Sequence, residues 1–163
     1  MPRSLFILAA LAFIGVSLLF PRKSWALPAK GAEYAATIFA TEDMHRIPRN
    51  LLARLIYQES RYRDDIIQGN VTSPAGAVGI AQIVPQWHPN VDPLDPYESI
   101  RYAGSYLRGL FDRFGGWPMA LAAYNWGEGN LNRALRMHGS DWLDNAPMET
   151  RNYVTQILGD VPI

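Results

Sequence analysis

Glu59 occupies the position in this sequence that most invites a chemical role. It ends a segment starting near Pro48 in which Leu51, Leu52, Leu55 and Ile56 recur at helical spacing. At ~100° per residue these four side chains point near ~0°, ~100°, ~40° and ~140°, and Glu59 points near ~80°, inside their stripe. A carboxyl group on the core-facing side of a helix loses water, which disfavours its charged form and raises its pKa. A carboxylic acid that keeps its proton near neutral pH can act as a general acid. The competing reading is a glutamate at a frayed helix end, turned to water or paired with Arg54, Arg61 or Arg63.

Asp64, Asp65 and Glu149 are the candidates for a second catalytic carboxylate. Each reads equally as a solvated loop acid or as an acid held by a helix N-terminus, and Glu149 fits the latter at the start of the last helix. His45, His88 and His138 are isolated and lack metal-ligand spacing, so they read as surface or locally hydrogen-bonded residues. There is no cysteine, which excludes a disulfide framework, thiol catalysis and cysteine-ligated zinc. No phosphate loop, nucleotide fingerprint or serine-nucleophile elbow is present, and no cofactor or metal is expected.

The elements that must position Glu59 are helical almost throughout. Residues 33–45 form a first helix with Tyr34, Ile38 and Phe39 on one side. Pro48 opens the Glu59 helix, which runs to about Arg61. Residues 64–78, rich in Asp, Gly, Ser and Pro, read as a loop. Pro96 opens a long helix whose Ala103, Tyr106, Leu107, Leu110, Phe111 and Phe114 form an amphipathic stripe, ended by Gly115-Gly116. A short apolar helix follows from Pro118 to Tyr124, another runs to about Met137, and the last spans Met148 to Leu158. No stretch alternates as a strand. The fold class is mainly α, a compact bundle of six or seven short helices.

Length sets an expectation of one domain. The N-terminus has Arg3, an apolar run from Leu5 to Phe20, then Pro21-Arg22-Lys23-Ser24-Trp25-Ala26. A basic start, a short apolar run and small residues at Ser24 and Ala26 predict a secretory signal peptide over 1–26, cut after Ala26. An uncleaved anchor is the alternative, although sixteen helical residues span only about 24 Å of a core about 30 Å thick. Residues 27–32 are expected as a tether and 33–163 as the catalytic domain. The first 26 residues hold three bases and no acid, so the remainder carries 12 bases against 15 acids. That balance argues against nucleic-acid binding, which needs a basic face.

Four motifs then occur in order. They are Glu59-Ser60; Ser73 to Pro85, containing Gly79-Ile80-Ala81-Gln82-Ile83-Val84-Pro85; Ala123-Tyr124-Asn125-Trp126-Gly127-Glu128-Gly129-Asn130; and Glu149-Thr150-Arg151-Asn152-Tyr153-Val154. Together they resemble the catalytic domain of the soluble lytic transglycosylases, a lysozyme-like domain related to goose-type lysozymes, over roughly residues 33–160. The resemblance implies a mostly helical α+β lysozyme-like fold around a glycan-binding cleft. It implies cleavage of the β-1,4 bond between N-acetylmuramic acid and N-acetylglucosamine in peptidoglycan, leaving a 1,6-anhydromuramic end. Glu59 matches the family's catalytic acid. Ser60 matches the serine beside it, which would hold the carboxyl or contact sugar. Gln82 matches a cleft-lining glutamine, Tyr124 and Asn125 match residues facing the sugar ring, and Tyr153 matches a tyrosine whose hydroxyl lies near the acid. Val84 stands where the family usually has a methionine that touches substrate, which bears on subsite shape.

These residue types suit that chemistry. Gln82 and Asn125 are amides able to meet N-acetyl and hydroxyl groups, though either could instead cap a loop. Tyr124 and Tyr153 also lie on apolar stripes and could be core aromatics. Gly76 and Gly79 suit tight turns bordering the cleft. Of Trp87, Trp117, Trp126 and Trp142, Trp126 is expected nearest the site. Most glycosidases need two carboxylates, whereas the anhydro reaction needs only Glu59, acting first as acid and then as base toward the sugar's own C6 hydroxyl. A hydrolytic lysozyme on the same fold and a catalytically silent glycan-binding envelope protein are the alternatives. The expected partner is the peptidoglycan glycan strand, with an envelope-spanning secretion or conjugation machine compatible. The expected location is the periplasm or cell envelope, with the membrane met only through the N-terminal segment if it is uncleaved.

Overall fold

A computed structural model describes residues 25–159 and residue 161. The apolar run expected as a signal peptide lies outside the described residues. Seven α-helices occur among the described residues: α1 (Ala35–His45), α2 (Leu51–Ser60), α3 (Asp64–Ile67), α4 (Pro96–Phe114), α5 (Trp117–Trp126), α6 (Glu128–His138) and α7 (Met148–Leu158). Short 3-10 turns precede α1, at Ala29–Tyr34, and follow α6, at Gly139–Trp142. The extended content among these residues is one antiparallel bridge between Val78 and Ile83. None of the described helices is long and apolar enough to cross a membrane.

Helix α4 is the spine. Asp95 caps it, its side chain accepting from the N–H groups of Tyr97 and Glu98, and Pro96 takes the first helical position, where no donor is needed. Gly115 ends it in the left-handed conformation. Its buried face packs on α1 and α5, and α7 packs on α5 and α2. Gly104 permits the α1–α4 approach, because a Cβ there would lie 2.2 Å from the Thr41 methyl and 3.2 Å from Leu52.

Helix α2 is buried on nearly every side. Leu51, Leu52, Ala53, Leu55 and Ile56 have no exposed surface. Its first N–H groups, which have no partner inside the helix, are satisfied from α1. Glu42, fully buried, accepts from Asn50 N–H (3.0 Å) through Oε2 and from Leu52 and Ala53 N–H (3.1 and 3.2 Å) through Oε1. Burial pushes the Glu42 carboxyl up, while these donors and Arg49, 3.7 Å away, pull it back.

Two expectations are corrected here. Residues 27–32 are not a tether. Leu27 packs against the core, residues 29–34 form the 3-10 turn, and Gly31 is buried beneath Tyr62. Trp25 joins them, its ring 6.4 Å from Tyr57 and beneath the Arg54 guanidinium at 5.3 Å. Apolar side chains beside an exposed aromatic face gain by covering it, which a polar linker would not do. Residues 64–78 are not wholly loop either. Asp64–Ile67 make one helical turn with two acids in its first turn, too short to leave a periodic signal.

Candidate active site

Helices α2, α5 and α7 bring Glu59, Asn125, Glu149 and Tyr153 around one cavity of about 340 Å³. Glu59 is half-buried at the last turn of α2. Tyr153, buried on α7, donates its hydroxyl hydrogen to Glu59 Oε1. Burial, helped by the Glu149 carboxylate and opposed by the hydrogen bond from Tyr153, raises the Glu59 pKa from 4.5 to about 7. The arginines that could have neutralised it donate to other groups, although Arg61 lines the same cavity. Arg54 donates to the Ile157 carbonyl (3.4 Å), Arg61 to Gln58 (2.9 Å) and Arg63 to Asp65. A carboxyl half-protonated near neutral pH and open to a cavity can give a proton and take one back.

Asn125 lines this cavity and also a larger one of about 860 Å³, so the two lie side by side at this residue. Its Oδ1 accepts from the Thr150 hydroxyl (3.0 Å), which ties the Asn125 amide to α7. Gln82, Tyr124, Val84 and Trp126 line the larger cavity. The Tyr124 hydroxyl donates to the Ala81 carbonyl (2.9 Å), tying α5 to the turn at 79–84. Gln82 holds a left-handed backbone (φ 49°) and its side chain donates to the Gly79 carbonyl (3.1 Å). Strain of this kind, costing about 1–3 kcal/mol at a non-glycine residue, gathers at functional sites. Gly79 makes the turn possible, since it has φ +77° and a Cβ there would lie 1.8 Å from the Pro93 carbonyl oxygen.

Ser60 is not where the resemblance puts it. Its side chain has no exposed surface, and its hydroxyl donates to the Ile56 carbonyl (3.2 Å) and accepts from Tyr62 N–H (3.2 Å). It meets neither the Glu59 carboxyl nor the cleft. Instead it secures the end of α2, where Arg61 and Tyr62 both adopt left-handed backbone (φ 53° and 51°). Tyr62 is buried there and donates to the Ala53 carbonyl (3.2 Å).

Of the candidate second carboxylates, Glu149 lines the Glu59 cavity from the exposed first turn of α7. Asp64 and Asp65 sit on α3, where Arg63 holds the Asp65 carboxyl below its usual range. Trp117 and Trp142 are buried in the core. Sequence reasoning missed Thr150, although its spacing of three from Tyr153 puts both on one face of α7. It also missed Gln58 and Arg61 at the cavity wall, which no periodicity marks.

A mainly helical domain presenting one half-buried acid to an open cleft is lysozyme-like in class, and solved structures agree. The chain is similar to the 70 kDa soluble lytic transglycosylase of Escherichia coli, with 27% identity over 77% of this chain and 23% of that one, at a TM-score of 0.62. The fold also matches an inactive variant of the lytic transglycosylase Slt of Pseudomonas aeruginosa, at 23% identity, 77% and 22% coverage, and a TM-score of 0.64. The chain thus spans under a quarter of the length of either protein. The family model described as the Transglycosylase SLT domain matches residues 36–142, and the chain belongs to that family.

Proposed function

We propose that this chain is a peptidoglycan lytic transglycosylase with Glu59 as its acid and base. The observation that carries the reading is the half-buried Glu59 carboxyl, raised to about 7, held by Tyr153 and open to a cavity. Glu59 protonates the glycosidic oxygen as the bond to the anomeric carbon of N-acetylmuramic acid breaks. The resulting carboxylate then removes the proton of the C6 hydroxyl, and the C6 oxygen closes on the anomeric carbon to give the 1,6-anhydro end. The nucleophile belongs to the substrate, so orientation replaces a water-activating base. Asn125, Gln82 and Tyr124 are assigned to the strand, and Tyr153 to Glu59 itself. The N-terminal apolar run supports action in the periplasm or cell envelope, alone or beside an envelope-spanning machine.

Hydrolysis is the second reading, favoured by one observation: Glu149 faces the same cavity as Glu59. The exposure of Glu149 and its place at a helix N-terminus, which suits a plain surface acid, favour the transglycosylase. Glu59→Gln should abolish clearing of peptidoglycan suspensions while binding to sacculi persists. Undiminished clearing by that variant would overturn the assignment of Glu59.

A further inference from the structure

The larger cavity carries an aromatic arm that the acid chemistry does not use. Trp87 and Trp126 both line it, together with His88 and with Tyr102 and Tyr106 of α4. Trp87 is 70% exposed. A lone exposed apolar side chain needs no explanation, but Trp87 shares its cavity with four other aromatic side chains besides His88, namely Tyr102, Tyr106, Tyr124 and Trp126. The N–H groups of Trp87 and His88 both donate to the Val84 carbonyl (3.0 and 3.1 Å). His88 Nδ1 lies 2.6 Å from the Tyr102 hydroxyl, and its ring meets Tyr102 and Tyr106 edge-on at 5.4 and 5.0 Å. Those two tyrosines stack on each other at 6.2 Å. The loop is tied to α4 through His88, and Trp87 beside it presents an exposed indole to the larger cavity.

We propose that Trp87 is a sugar-stacking residue that grips the glycan strand at a distance from Glu59, and that His88 is its positioning residue. This rests on the reading of the cleft as a glycan site. The occupant is a sugar ring because of the chemistry assembled here. Indoles offer flat apolar faces for the C–H side of a pyranose, while Gln82 and Glu128 in the same wall offer polar atoms for its rim. Asn125 lines both this cavity and the one at Glu59, so the two are neighbours along the path proposed for the strand.

The test is a calorimetric titration of the full chain carrying Glu59→Gln. The ligands are glycan strands stripped of peptide and, separately, free stem peptides. Adding Trp87→Ala should weaken strand binding roughly tenfold, the loss expected when an aromatic contact residue is truncated, and Trp87→Phe should keep most of it. His88→Ala should weaken strand binding less than Trp87→Ala and leave the thermal midpoint near that of the parent. Strand binding unchanged by Trp87→Ala would overturn the proposal, as would a loss confined to stem peptides or a parent that binds no strand. Digestion of peptidoglycan by the unsubstituted chain, run alongside, separates the two readings. Digestion with unchanged strand binding by Trp87→Ala defeats this proposal alone, whereas no digestion defeats the reading of Glu59 as well.

Discussion

Tyr153 on α7 gives its hydroxyl hydrogen to Oε1 of Glu59 on α2, so two helices distant in sequence share one proton-handling unit. The bond stabilises the carboxylate and so works against the burial that raises the Glu59 pKa. Removing it in Tyr153→Phe should move the alkaline limb of the pH–rate profile to higher pH. The rate at the optimum should fall roughly tenfold to a hundredfold, the size expected for losing one hydrogen bond to a charged group. Initial rates from acid to alkaline pH, for both proteins, check this.

The same pKa makes a prediction about stability. The folded carboxyl keeps its proton up to about pH 7, whereas an ordinary glutamic acid releases it near 4.5. The native state therefore binds more protons than the unfolded state between those values, and stability falls as pH rises through that window. Glu59→Gln removes the slope. Its advantage in unfolding free energy over the parent should grow by on the order of 2 kcal/mol between acid and mildly alkaline pH. Urea unfolding at several pH values measures it, and a constant difference would show that Glu59 titrates like an exposed acid.

Ser60 separates anchoring from substrate contact. Ser60→Ala strips a buried acceptor from Tyr62 N–H and a donor from the Ile56 carbonyl. It should cost about 1–3 kcal/mol of stability and leave KM within about twofold, since the hydroxyl does not reach the cleft. A raised KM with unchanged stability would return Ser60 to the sugar.

Glu42→Ala should cost about 3 kcal/mol or more, because three N–H groups at the start of α2 lose a buried acceptor. Denaturant midpoints check it, and an effect below about 1 kcal/mol would mean that water replaces the carboxylate.

Glu42 also shows how far the sequence could be read. The pattern that singles out Glu59, a carboxylate on an apolar helical stripe, applies equally to Glu42. It lies four residues after Ile38 and eight after Tyr34. One of these acids caps a helix and the other faces a cleft. What distinguishes them is their partners, three backbone donors against one phenol, and those partners come from tertiary contacts that no local period encodes. The long elements were legible for local reasons: Pro96 and Gly115 bracket α4, and helix α7 runs from Met148 to Leu158 as expected. Helix α3 was illegible because a single turn has no periodicity. Ser60 was misplaced because the resemblance supplies a neighbour in sequence and not the direction of its side chain.

Trp25 bears on the expected cut after Ala26. A chain starting at Leu27 loses the indole that covers Tyr57 and lies beneath the Arg54 guanidinium. It should be less stable than one retaining Trp25 by about 1–2 kcal/mol, from lost burial and cation–π contact. Thermal midpoints of the two chains measure this, and equal values would show that the contact contributes nothing.

The central claim is that Glu59 directs the sugar's own hydroxyl, not water, onto the anomeric carbon. Digestion of purified peptidoglycan followed by mass spectrometry of the released muropeptides tests it most directly, with Glu59→Gln as the control. The account predicts products one water lighter than reducing-end muropeptides, absent with the variant. Products with hydrated reducing ends would contradict it and make Glu149 the second carboxylate of a lysozyme.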